Sequence, residues 1–168
     1  RQSGLLFFKE NVKIYGVKTA TVTAIGKDFY KKIKDFEKNK IFALCEELWQ
    51  SGYLEETGIA CNWSYNQHKN FLPKDFVIFE KWVNNYVSNL ASCYTFCNHT
   101  LGTFIEMYPE YIEQLIKWTS SENRWVKRAS AVSLIIPARK GLFLYEIFLI
   151  SDKLLTDKDD LVQKGYGW

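Results

Sequence analysis

Apolar residues recur at three- and four-residue steps through most of this chain, a period that packed amphipathic helices satisfy and half-buried strands do not. Val22, Ile25, Phe29, Ile33 and Phe36 trace one such stripe, with Lys27, Lys31, Lys32 and Lys34 between them. Ile41, Leu44, Cys45, Leu48 and Trp49 trace the next, and Gly52 follows as a C-terminal cap. A third helix is predicted over 54–68. Pro73 suits a first helical turn ahead of Phe76, Phe79, Trp82, Val83 and Tyr86. Further helices are expected over 92–107, from Pro109 to Trp118, from the capping-box spacing Thr119-Ser120-Ser121-Glu122 toward Pro137, over 142–155, and after Thr156-Asp157-Lys158-Asp159. No segment alternates with a period of two between hairpin turns, so the fold class is all-α. Helix pairs begin near residues 40, 73, 109 and 140, at intervals close to those of helical repeats. That spacing predicts a right-handed solenoid of antiparallel helix pairs, an α-α superhelix, with a plain helical bundle as the alternative.

The 168 residues can bury a sizeable core in one unit, and a chain that is 17% aromatic carries too much apolar surface to stay disordered. A single domain over 1–168 is expected, truncated at one or both ends, since the chain opens on Arg1 and closes on Trp168. The longest apolar stretch, 142–150, is interrupted by Glu146 and is about half of the roughly 20 residues a membrane span needs. Cys45, Cys61, Cys93 and Cys97 lack the spacing of a disulfide framework and read as reduced thiols of an intracellular, cytoplasmic protein.

The formal net charge of +3 conceals segregation. Residues 1–40 carry ten Lys/Arg against four acids, 41–116 three against nine, 117–140 six against one, and 141–168 three against five. Two basic blocks flank an acidic middle. Brought onto one face they would attract a phosphate backbone, and kept apart they are solvated lysine-rich helix faces.

Several stretches resemble the AlkD-type family of DNA alkylation-repair glycosylases with HEAT-like repeats. Tyr15-Gly16-Val17-Lys18-Thr19 is similar to the entry into its first repeat, Leu44-Cys45-Glu46-Glu47-Leu48-Trp49 to its next helix, and Cys93-Tyr94-Thr95-Phe96-Cys97 to its active-site helix. Residues 121–129, with Arg124, Lys127 and Arg128, resemble the following basic helix, and residues 160–168, with Lys164 and Trp168, the closing one. The resemblance implies a stack of HEAT-like repeats whose concave basic face cradles double-stranded DNA. It also implies hydrolytic excision of cationic N3- and N7-alkylated purines by a monomer, with neither metal nor other cofactor. A cationic purine is already a good leaving group, so a carboxylate that stabilises the developing charge on the sugar, with Trp faces near the lesion, suffices.

Residue by residue, the resemblance places Arg128 beside the lesion and Trp168 on the closing helix, with Arg124, Lys127 and Lys164 as further DNA contacts. Trp125 shares a side of its helix with Arg128 at i,i+3, with inter-repeat packing as its plainer role, as it also is for Trp168; a solvated surface cation is the plainer role for Arg128. At the family's Trp and catalytic Asp positions stand Leu90 and Tyr94. A phenol with an ordinary pKa of about 10 carries no charge at pH 7, and leucine offers no π face. Hence DNA binding and base excision are separate expectations. A non-catalytic helical-repeat scaffold for a protein partner is the competing one. An acid such as Glu106 or Glu122 is the candidate substitute for the missing carboxylate.

Cys93, Cys97 and His99 superficially suggest zinc, but two thiols on one helical face and an imidazole on another do not converge on a tetrahedral ion. His68, at a helix end, is expected to meet the terminal carbonyls. No phosphate-cradling glycine loop, Gly-x-Ser-x-Gly elbow or His-Glu-x-x-His pair is present.

Overall fold

The computed structural model describes residues 12–167. Among them the chain is helical as expected, and a single bridge between Lys13 and Tyr53 is the sole strand-like pairing. Helices α1 (Thr19–Ile33), α2 (Lys38–Gln50) and α3 (Leu54–Asn66) come first. The first stops one turn before Phe36, whose N–H instead closes a turn on the Ile33 carbonyl at 2.9 Å. Gly52, just past α2, has φ +73°, the left-handed geometry expected of a helix-ending glycine.

Pro73 and Pro109 each open a short 3-10 turn that runs into a helix, α4 (Phe76–Asn85) and α6 (Ile112–Trp118) respectively. A proline there wastes no hydrogen bond, because the first N–H groups of a helix have no internal acceptor. Between them α5 spans residues 90–107 in three continuous pieces, an α-segment Leu90–Thr95, a π-turn Phe96–Leu101 and a second α-segment Gly102–Met107. The periodicity of side chains gave no sign of the π-turn.

The capping box expected at Thr119–Glu122 does not form. Thr119 closes α6, its hydroxyl donating to the Ile116 carbonyl at 2.7 Å, and Asn123 caps α7 (Arg124–Val132) by accepting the Trp125 N–H at 2.9 Å. The short side chain nearest the first turn therefore wins over the Thr119/Glu122 pair upstream. Pro137 lies inside a separate short helix, α8 (Ile135–Arg139), and α9 (Leu144–Leu154) and α10 (Asp160–Tyr166) complete the described chain. Asp159 caps α10, accepting the Leu161 N–H at 2.9 Å.

Two rows result. α3, α5, α7 and α10 pack one after another, with α1 against α3 at the near end. In the second row Phe42 on α2 meets Phe79 on α4, Phe76 on α4 meets Trp118 on α6, and α6 packs on α9. Between the rows lies one continuous apolar core in which Trp49, Phe79, Trp82, Phe96 and Phe104 are almost wholly buried, their rings meeting mostly edge to face or tilted at 5.6–6.3 Å. Trp125 belongs to this core, which is the packing role weighed for it above. All four cysteines are buried free thiols. None of the described helices is long and apolar enough to cross a membrane.

Polar clasps tie each pair to the next. Lys38 at the start of α2 donates to Asp75 at 2.5 Å, where the lysine side chain is 11% exposed and the aspartate 1%. The same Asp75 oxygen accepts the Leu72 N–H at 2.8 Å. On the other row, α5 and α7 approach so closely at Gly102 that an added Cβ would stand 2.6 Å from the Ser133 carbonyl oxygen.

Two variants test this packing by urea denaturation. Lys38→Ala leaves Asp75 charged and buried without a cation and should destabilise the fold by about 3–5 kcal/mol, part of it recovered by adding Asp75→Asn, which keeps an acceptor for Leu72. Gly102→Ala should cost about 1–3 kcal/mol, since the obstacle is backbone and cannot swing aside.

Candidate nucleic-acid interface

The start of α5 is fixed by Asn89, whose side chain accepts the Ser92 N–H at 2.9 Å, while the Ser92 hydroxyl donates to the Asn89 carbonyl. Leu90 and Tyr94 follow at i and i+4, so both rise along one side of the first turns, half-buried and packed against the core. These are the two positions that the resemblance assigns to a Trp and an Asp. The two acids proposed as substitutes differ in setting. Glu106 lies twelve residues further along α5, roughly 18 Å at helical rise, and accepts Lys140 Nζ on both oxygens at 2.8 and 2.7 Å. Glu122 is exposed in the loop before α7.

Arg128 is 3% exposed, so it is no solvated cation. Its guanidinium donates to the Leu161 carbonyl on α10, and its Cγ lies where a Cβ on Gly165 would approach to 3.2 Å. Its Nε–H has no acceptor among the described residues. Arg128 thereby acts as a strut between α7 and α10. The remaining cations of this region all face one acidic turn: Arg124 pairs with Asp159, Lys127 with Asp157 at 2.7 Å and Lys164 with Asp160 at 3.0 Å. Trp168 lies outside the described residues.

The turn owes its shape to the same aspartates. Asp157 accepts the Asp159 N–H at 2.9 Å, and the Gln163 amide donates to the Asp157 carbonyl at 2.7 Å. The hydrogen bond from Lys127, aided by the Asp159 N–H, holds the Asp157 carboxyl below the usual carboxylate range. Counting charges by sequence block missed this arrangement, because the acids that neutralise the basic helix come from the next segment of chain.

Cations without such partners lie on α1, where Lys27, Lys32 and Lys34 form no ion pair among the described residues and Lys31 meets Asp28 only at 3.7 Å. His68, as expected from its place at a helix end, donates from Nδ1 to the Tyr65 carbonyl at 2.9 Å. Cys93 and Cys97 point into the core, and no three His, Cys, Asp or Glu side chains cluster for a metal among the described residues.

The model of a protein family described as DNA alkylation repair enzyme matches residues 4–168. The chain belongs to that family. No curated protein matches it significantly. In this DNA alkylation repair protein the helices with the densest resemblance, α5, α7 and α10, are consecutive neighbours in one row.

Asp157 has a folded pKa below its unfolded one, so its contribution to stability is complete above about pH 4, the ordinary carboxylate value, and is lost as pH falls through the depressed pKa. Asp157→Asn should therefore lower stability at pH 7 by about 1 kcal/mol and flatten the loss of stability below pH 4, as read from thermal melts across pH 2–7.

Proposed function

We propose that this chain is a duplex-DNA-binding member of the alkylation-repair family, working inside the cell as a monomer, that recognises alkylated purines and excises them weakly. In this reading the two rows of helices form a single domain, a right-handed solenoid of HEAT-like pairs. The row containing α3, α5, α7 and α10 lines its concave face. The observation that supports the reading is the side-by-side packing of α5, α7 and α10, which makes neighbours of three segments that carry the resemblance.

Phosphate contacts come from Arg124, Lys127 and Lys164. Each is paired to an aspartate, and the pairs are partly exposed: the cation side chains are 48%, 25% and 61% accessible. Pairs of this kind are worth about 0.2–1 kcal/mol each, so a phosphate can displace the aspartate without a large penalty. Arg128 contributes by position, holding α7 and α10 at the separation that sets those cations.

Excision is weak for a chemical reason. Departure of an alkylpurine leaves positive charge on the sugar, and a carboxylate beside it lowers that barrier. Leu90 and Tyr94 supply neither this charge nor an indole face. Recognition needs only binding, and it survives their loss.

Two measurements test the reading. Binding to a 15-base-pair duplex, followed by fluorescence anisotropy, should weaken by about 10²-fold or more between 50 and 200 mM salt, as expected for several phosphate contacts. Failure to bind at low salt would exclude the duplex as ligand and favour the protein scaffold. In an excision assay, the Tyr94→Asp, Leu90→Trp double variant should release 7-methylguanine at least about 10²-fold faster than the wild type; equal rates would show that these positions do not limit the chemistry.

A further inference from the structure

At the near end of the row, α1, α3 and α5 enclose a groove of about 370 Å³, at the small end of the roughly 300–1,000 Å³ typical of ligand sites. Its lining residues are not among those to which the resemblance gave a role. Thr19 and Thr23 line it from α1, Gly58 and Tyr65 from α3, and Thr95 and His99 from α5. Val22 and Cys61 supply apolar surface within it. The π-turn contributes directly, since His99 is one of its residues.

The polar groups around this groove have capacity to spare. Among the described residues no hydrogen bond engages the hydroxyls of Thr19, Thr23 or Thr95, or the ring nitrogens of His99. Burial holds the His99 pKa below its ordinary value, so the ring is neutral at pH 7 and offers one donor and one acceptor. Tyr65 tilts against His99 with centroids 5.5 Å apart and stacks on His68 at 5.1 Å.

Charge then selects among planar ligands. Thr19, Thr23, Lys27 and Lys31 follow one another at four-residue steps, and a ladder of that spacing climbs one side of a helix. Its first two members line the groove, which places the two lysines along the continuation of the same edge. Lys27 forms no ion pair among the described residues, and the 3.7 Å contact of Lys31 with Asp28 joins two well-exposed side chains. A ligand with a flat heteroaromatic part and flanking negative charge satisfies both features.

We infer that the groove between α1, α3 and α5 is a nucleotide subsite: it takes one unpaired base of a DNA strand, with the adjoining phosphates on Lys27 and Lys31. The threonine hydroxyls and His99 bond the edge of the base, and Tyr65 meets its face. A stacked and paired base cannot enter, so the site discriminates by the state of the helix and reports a disrupted pair instead of a particular sequence. The inference rests on the duplex-binding reading above and adds the part of the ligand that this end of the molecule holds.

The experiment compares two labelled duplexes by anisotropy, one fully paired and one with a single bulged adenine. Wild-type protein should prefer the bulged duplex by about tenfold, the order expected from stacking one base on an aromatic wall. Gly58→Leu fills the groove: a Cβ there meets nothing within 4 Å, and leucine suits a helix interior better than glycine, so the variant folds. The ratio of the two affinities should fall to about one in Gly58→Leu and in His99→Ala/Tyr65→Ala, while Lys27→Ala should lower the salt slope by about one. Equal wild-type affinity for both duplexes, or a preference that survives Gly58→Leu, overturns the subsite while leaving duplex binding intact. Binding to neither duplex at low salt overturns the subsite together with the duplex reading.

Discussion

Each helix pair finds its partners one pair further along the chain, and the rest of the molecule follows from that rule. Its polar signature is a set of contacts bridging 30 to 41 residues, from Lys127 with Asp157 at one extreme to Tyr15 with Glu56 at the other. Trp63 donating to the Gly26 carbonyl, Tyr108 to the Phe71 carbonyl and Trp118 to Glu80 belong to the same set. A single pair cannot bury its aromatic stripe alone, so stability must be shared between neighbours. The buried clasp of Lys38 with Asp75 then sets register, because an uncompensated charge in the core costs several times more than an exposed one.

The same rule governs the electrostatics. Contacts one pair apart bring the acidic turn at 157–160 onto the basic helix α7, where Arg124 and Lys127 acquire aspartate partners, as Lys164 does on α10. Opposite charges a few ångströms apart cancel at distances beyond the screening length, about 8 Å at physiological salt. The lysines of α1, where Lys27 and Lys32 form no ion pair among the described residues, keep their long-range field. On the duplex-binding reading, α1 attracts DNA from a distance, and the α7 and α10 cations engage at contact by exchanging partners.

Much of the fold was legible because helices announce themselves by period and punctuation. The stripes through Ile41 to Trp49 and Phe76 to Tyr86, the glycine at 52 and the prolines at 73 and 109 all mark real boundaries. What escaped the sequence depends on contacts distant in the chain. The choice of Asn123 over Thr119 as a cap turns on loop geometry, with the Asn123 amide also donating to the Asn84 carbonyl 39 residues away. The π-turn inserts its extra residue where α5 must meet α3 through Thr100 and Ser64, 3.2 Å apart, and α7 through Gly102. Of the candidate site, the adjacency of the helices carrying Tyr94, Arg128 and Lys164 was readable from the repeat spacing. The burial of Arg128 was not, since nothing in the sequence shows that Gly165 leaves room for its stem.

Separating recognition from catalysis is physically coherent for such a molecule. A carboxylate beside the sugar stabilises charge that exists only in the transition state, so its loss removes rate and leaves ground-state binding untouched. Several acids near this row are otherwise employed: Glu106 holds Lys140, Asp157 and Asp159 hold the turn, and Glu55 accepts the N–H groups of Tyr15, Gly16 and Val17. Burial works to raise the Glu55 pKa, yet those three donors together with its own backbone N–H outweigh it and hold the pKa below the ordinary value. Glu55 thus spends its charge on tying the segment before α1 to the start of α3, and with it the placement of Thr19 and Thr23 along the groove. A side chain so engaged is unavailable to a developing oxocarbenium ion. On the proposed reading, the anionic groups of this fold shape the surface that meets DNA, and the lability of a cationic purine supplies whatever excision occurs.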